Sequence, residues 1–124
     1  MIRLIPLVLL TAAPAVAQTQ AQMNQQAGTE YRAADAAMTR QWQRTYAYMK
    51  GRDAQDRSRG SGFGYAAATL ASQRSWLQFR DTQCVIEGGE FAGGSMQPLA
   101  QTQCVIRLTR ERTTQLAQLL WNRR

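Results

Sequence analysis

A chain of 124 residues with 44% hydrophobic side chains and a formal net charge of +7 is long enough for one domain with a modest core. It has no histidine, so any general acid–base chemistry would fall to carboxylates alone, and nothing in it implies a cofactor or a metal. Only Lys50 among the fifteen basic residues is a lysine, which reads as compositional bias and not as a phosphate-reading device.

Met1-Ile2-Arg3 leads into an apolar run from Leu4 to Leu10, followed by Ala12-Ala13-Pro14-Ala15-Val16-Ala17. One positive charge, a short apolar run and an Ala-x-Ala ending predict a signal peptide over residues 1–17, cleaved after Ala17. A membrane anchor would need about 20 apolar residues, more than this run supplies. No cysteine near the cleavage point offers a lipid attachment site, and there is no twin-arginine pair. The expected product is residues 18–124, periplasmic or secreted, with no transmembrane span after cleavage. Loss of Arg3 leaves it strongly basic. Export argues against nucleic acid as the partner of that charge and favours peripheral contact with an anionic envelope surface. It also makes the two cysteines read as a structural bridge, the more so because C-x-x-C spacing is absent.

From Gln20 to Lys50, Met23, Ala27, Tyr31, Ala34, Met38, Trp42, Thr45, Tyr46 and Met49 follow a 3.6-residue period. This predicts one long amphipathic helix, or two pieces joined at Gly28, ending at Gly51. Arg52 to Gly64 is charged, then glycine-rich, and reads as a surface loop. A second helix is expected from about Tyr65 to Glu87, with Leu70, Gln73, Trp76, Leu77, Arg80, Asp81 and Cys84 along one stripe and Phe79 on the opposite face. A second loop spans Gly88 to Ser95. Ser95 or Gln97 starts the third helix, with Pro98 in its first turn, and Cys104, Val105, Leu108, Thr109, Arg112, Leu116, Leu119 and Leu120 share a face. The sequence shows no convincing strand. The fold class is therefore all-α, a small domain of three main helices.

An antiparallel hairpin of the second and third helices brings Cys84 and Cys104 level, and a disulfide is the natural reading. Closing a loop of this length contributes roughly 3 kcal/mol. Charges also fall inside the apolar stripes: Arg112 between Leu108 and Leu116, Asp35 between Tyr31 and Met38, Arg80 and Asp81 beside the second stripe. A buried guanidinium needs a partner. The expectation is a structural ion-pair cluster of Asp35, Arg80, Asp81 and Arg112 that fixes helix register.

The run Gln73-Arg74-x-Trp76-Leu77-x-Phe79-Arg80-Asp81-x-x-Cys84, then Gly93-Gly94-Ser95-x-x-Pro98, Cys104 and Leu108-Thr109-x-x-Arg112-x-x-x-Leu116, resembles the lysozyme inhibitor LprI-type family of bacterial envelope proteins. Thr19-Gln20-x-x-Met23-Asn24 and Tyr31-x-x-Ala34-Asp35 extend the resemblance over nearly the whole chain after residue 17. It implies a helical domain with the Cys84–Cys104 bridge, no catalysis, and a protein partner that is lysozyme or a related peptidoglycan hydrolase. Many members carry a further cysteine pair near the start of the first helix, where this chain has Gln26 and no partner, so that end is expected to be less constrained.

A basic body is the wrong sign for a basic lysozyme, but no lysine or arginine lies between Asp81 and Ile106, whereas Glu87 and Glu90 do. The hairpin loop is expected to be an acidic, glycine-flexible tip that enters the enzyme cleft, with Glu87, Glu90, Phe91 and Ser95 as contacts and Phe91 the apolar anchor. The competing reading is a basic envelope module that binds anionic polymers or lipids without lysozyme contact. A catalytic role has little to stand on. Glu87 with Glu90, and Asp53 with Asp56, are the close acidic pairs outside the expected core, and neither has a cleft implied around it.

Overall fold

The computed structural model describes residues 15–56 and 62–121, with side chains from Thr19 onward. Three helices follow in order, α1 (Ala15–Gln55), α2 (Tyr65–Gly89) and α3 (Gln97–Gln118). The described residues contain no strand. The segment expected as a leader lies outside the described residues up to position 14.

α1 is one unbroken helix of 41 residues. Gly28 does not divide it, since one glycine costs only about 1 kcal/mol against the bonds of a long helix. The expected stripe is the buried one: Ala27, Ala34, Met38, Thr45 and Met49 face inward, with Tyr31, Trp42 and Tyr46 half-buried and Met23 exposed. Gln26 is exposed and donates to Glu30 at 3.3 Å, and the helix is regular there without a second bridge.

The helix does not end at Gly51. It continues to Gln55, because the next two residues are held by contacts far along the chain. Arg52 lies over the rings of Tyr65 (4.0 Å) and Trp121 (5.2 Å) and donates to the Tyr65 hydroxyl at 3.1 Å. Asp53 accepts from the backbone N–H groups of Tyr65 (2.7 Å) and Ala66 (2.9 Å). That contact replaces a local cap. Gly64 occupies the cap position with φ 87°, a conformation that favours glycine, and glycine has no side chain with which to cap. The end of α1 therefore satisfies the orphan donors at the start of α2.

α3 joins the other two helices. Leu99 and Ile106 pack against Ala27 and Ala34 of α1, flanked by Tyr31. Cys104 and Leu108 pack with Cys84 of α2, flanked by Trp76 and Val105. Small residues permit close approach. A Cβ placed on Gly88 would meet Gln101 Cβ at 3.0 Å and the Gln97 carbonyl at 3.4 Å, so glycine sets the spacing of α2 and α3 beside the turn. At the opposite end, Thr45 Oγ1 donates to the Leu116 carbonyl at 2.8 Å in a buried contact. This ties α1 to the last turn of α3, where carbonyls lack helical partners. α3 stops at Gln118, short of the expected end: the N–H groups of Leu119 and Leu120 turn back to Leu116 and Ala117. Arg123 and Arg124 lie outside the described residues.

Candidate functional site

Cys84 and Cys104 are bridged, with Cα atoms 5.4 Å apart and both side chains buried. From this staple the hairpin closes through a turn that is more ordered than its glycines suggest. Phe91 N–H donates to Gly88 O (3.0 Å), Ala92 to Gly89 O (3.1 Å), Gly94 to Phe91 O (2.9 Å) and Gln97 to Gly94 O (3.3 Å). The Gln97 side chain accepts from Gly93 N–H at 3.2 Å. The turn is a hydrogen-bonded cap and not a flexible tip.

Three of the four expected contacts converge. Glu87, Glu90 and Phe91 line an open groove of ≈ 500 Å³ together with Ala100, Gln103, Cys104 and Arg107. Ser95 is exposed on the turn but does not line that groove. Glu87 is not a free charge. Arg107 Nη2 donates to both of its carboxylate oxygens at 2.8 Å, and Gln83 donates to Oε1 at 3.4 Å. The hydrogen bonds from Arg107, and then from Gln83, hold the Glu87 carboxyl below the ordinary glutamate range, and the same contact raises the Arg107 pKa. The unengaged acidity of the groove is thus Glu90, beside an exposed Phe91 ring. Arg107 is absent from the sequence reading because it lies outside the basic-free run. In an antiparallel pair, three residues past Cys84 runs toward the turn and three past Cys104 runs away from it, so the long arginine stem is what spans the offset, and spacing from the cysteines does not signal the contact.

The charged residues of the interior meet different partners from those expected. Arg80 is buried, donates to Asp81 at 2.9 Å and to Thr109 Oγ1 at 3.3 Å, and has its guanidinium 5.3 Å from the Trp76 ring centre. Arg112 is buried over the same ring at 5.8 Å. It donates to neutral oxygens only: Gln73 Oε1 at 2.9 Å, Ser72 Oγ at 3.0 Å and Gln115 Oε1 at 3.3 Å. Burial lowers its pKa. Asp81 points outward, and Asp35 makes no ion pair or hydrogen bond among the described residues. In place of a four-charge network, two arginines share the face of one tryptophan and a shell of amides and hydroxyls.

The residues of the recurring pattern, Trp76, Arg80 and Cys84 on α2 with Cys104, Leu108, Thr109 and Arg112 on α3, therefore form one continuous seam between the two helices. The lysozyme inhibitor LprI family matches residues 11–116, most of the chain and the whole of that seam. This chain belongs to the lysozyme inhibitor LprI family. A similar protein is Uncharacterized protein R02472 of Rhizobium meliloti (strain 1021), 34% identical over 125 residues that cover 92% of this chain and 90% of the relative. No solved structure matches. Within the LprI fold as this chain builds it, the patterned residues hold the hairpin together, while the turn and its groove are left exposed. No helix among the described residues is long and apolar enough to cross a membrane.

Proposed function

We propose that this protein is exported and acts as an inhibitor of lysozyme or a related peptidoglycan hydrolase, covering the enzyme cleft without doing catalysis. The observation that carries the reading is the family match over residues 11–116. The geometry of the hairpin end supports a mechanism. A turn already fixed by its own hydrogen bonds and by a disulfide loses little conformational freedom on binding, so its contacts convert more fully into affinity. The proposed contacts are Phe91 as the apolar anchor, with Glu90 and Ser95 beside it. Glu87 contributes through Arg107, forming a neutral wall of the groove. A glycosidase cleft works with a pair of carboxyl groups and must admit a sugar chain, so an inserted ring and a neighbouring polar rim suffice to block it.

The test is inhibition of a panel of lysozymes by the disulfide-bonded protein, beside Glu90→Arg and Phe91→Ala, which leave the bridge and the Glu87–Arg107 pair in place. The expected result is inhibition of at least one class, weakened about tenfold or more by either change, equivalent to about 1.4 kcal/mol. Inhibition unchanged in both variants would move the contact away from the turn. A folded, oxidised sample that inhibits no lysozyme would overturn the reading. Salt-sensitive binding to anionic envelope polymers would then take its place, carried by Arg32, Arg40, Arg44 and Lys50, all exposed along α1.

A further inference from the structure

α2 carries large apolar side chains on both faces, with Leu70, Trp76 and Leu77 half-buried on the inward side. It buries Thr69, Gln73, Arg80, Cys84 and Gly88, yet exposes Phe79 (53%), Val85 (59%) and Ile86 (69%). At 100° per residue the outward face running from Ala67 to Gly89 carries no charged side chain, since Arg74, Arg80, Asp81 and Glu87 all fall on the inward half or along its edges. A helix that meets only water places its charges on the outer face. An uncharged outer face with three large apolar side chains marks a surface that meets another surface.

We propose that this face of α2 is a homodimer interface, in which two copies pack α2 against α2, antiparallel, about a two-fold axis near Gln78. The charges along its edge indicate a second copy. Arg74 and Asp81 lie two turns apart on one edge of the uncharged face, both exposed, and Arg74 has no hydrogen-bond or ion-pair partner among the described residues. An antiparallel two-fold axis midway between them keeps that edge on the same side in both copies. Arg74 of each copy then faces Asp81 of the other, whose Oδ1 already accepts from Arg80 and whose Oδ2 is open to it, and the pair is made twice. The same register sets bulky against small. Val85 and Ile86 of one copy lie over the stretch around Ala71 of the other, and the two Phe79 rings sit beside the axis. A helix of this length is about 37 Å long. Taken about 10 Å wide, its face covers on the order of 350–400 Å² per copy, below the ~800 Å² of a standard interface, which makes this a weak, rapidly exchanging dimer.

Sedimentation of the disulfide-bonded protein at low salt, from about 10 μM to about 1 mM, reads this directly. The expected result is a weight-average mass that climbs toward twice the monomer value. Ile86→Glu should hold the protein monomeric with its helicity intact by circular dichroism. Arg74→Glu alone and Asp81→Arg alone should each weaken association about tenfold, and the two together should recover most of it. A wild-type monomer at the highest concentration overturns the proposal, as does a dimer indifferent to Ile86→Glu. Loss of lysozyme inhibition on Ile86→Glu in a protein that never dimerises also overturns it, by assigning the face to the enzyme. The dimer does not depend on lysozyme binding, so either can fail while the other stands.

Discussion

At the scale of single residues, adjacency decides which charges enter the core. Arg80 and Asp81 are about 100° apart around α2, so only one can point inward. The arginine does, because its long stem reaches Thr109 and the Trp76 ring while its Nε still meets Asp81 at the surface. Helical period correctly put Arg112 in the interior, but it could not say what would meet it, because neutral Gln73 and Ser72 approach from another helix. Glu87 gives a pH prediction. Its pKa is lowered in the folded chain by Arg107, so the pair adds stability above the unfolded glutamate pKa, and that contribution disappears as pH falls through the lowered folded value. Carboxyl-detected NMR titration should place Glu87 below 4.5, the ordinary glutamate value. Arg107→Ala should move it upward, and an unmoved Glu87 would deny the pair any influence in solution.

At the scale of elements, the ends of helices were the least legible part of the sequence. Gly51 looked like a stop because glycine is a poor helix residue, yet α1 gains an extra turn from Arg52 and Asp53, whose partners Tyr65, Ala66 and Trp121 lie well downstream. Local propensity of about 1 kcal/mol yields to such contacts. Asp53→Ala should cost about 1 kcal/mol, the usual value of a helix N-cap, because it leaves two donors at the start of α2 without an acceptor. Hydrogen exchange at the Tyr65 and Ala66 amides should accelerate first. Equal acceleration throughout α2 would instead mean that Asp53 supports the whole domain. The interhelical turn illustrates the same limit. Its glycines suggested flexibility, whereas they allow Gly88 to approach α3 and let the turn close on its own hydrogen bonds.

At the scale of the whole molecule, α3 packs against both other helices and the disulfide fixes the α2–α3 pair, so loss of the bridge should be felt globally. Cys84→Ser with Cys104→Ser should lower unfolding stability by roughly 3 kcal/mol in urea denaturation, the loop-closure value for a bridge of this span. A loss near zero would show that the Trp76 seam and the buried threonine bond of α1 already carry the register. With a net charge of +7, the molecule also repels itself at low salt, so neutral and reciprocally charged surfaces are where association becomes possible. The outward face of α2 and the turn groove are two such surfaces.

The sequence by itself determined three helices, their inward faces, the bridged hairpin and the family resemblance. The helices and their faces follow from periodicity, which acts within one or two turns of the chain, the bridge from two cysteines placed either side of a glycine-rich turn, and the resemblance from the motif residues themselves. The tertiary structure decided what those faces meet. It gave Arg112 neutral partners, left Asp35 half-buried without an ion pair and Asp81 at the surface, and tied Glu87 to Arg107. It carried α1 past a glycine and left Phe79, Val85 and Ile86 of α2 uncovered by another helix. The physical reason is common to all of these. Side-chain pairing across helices depends on their relative rotation and depth, set by the sum of all packing contacts, and no local pattern records that sum.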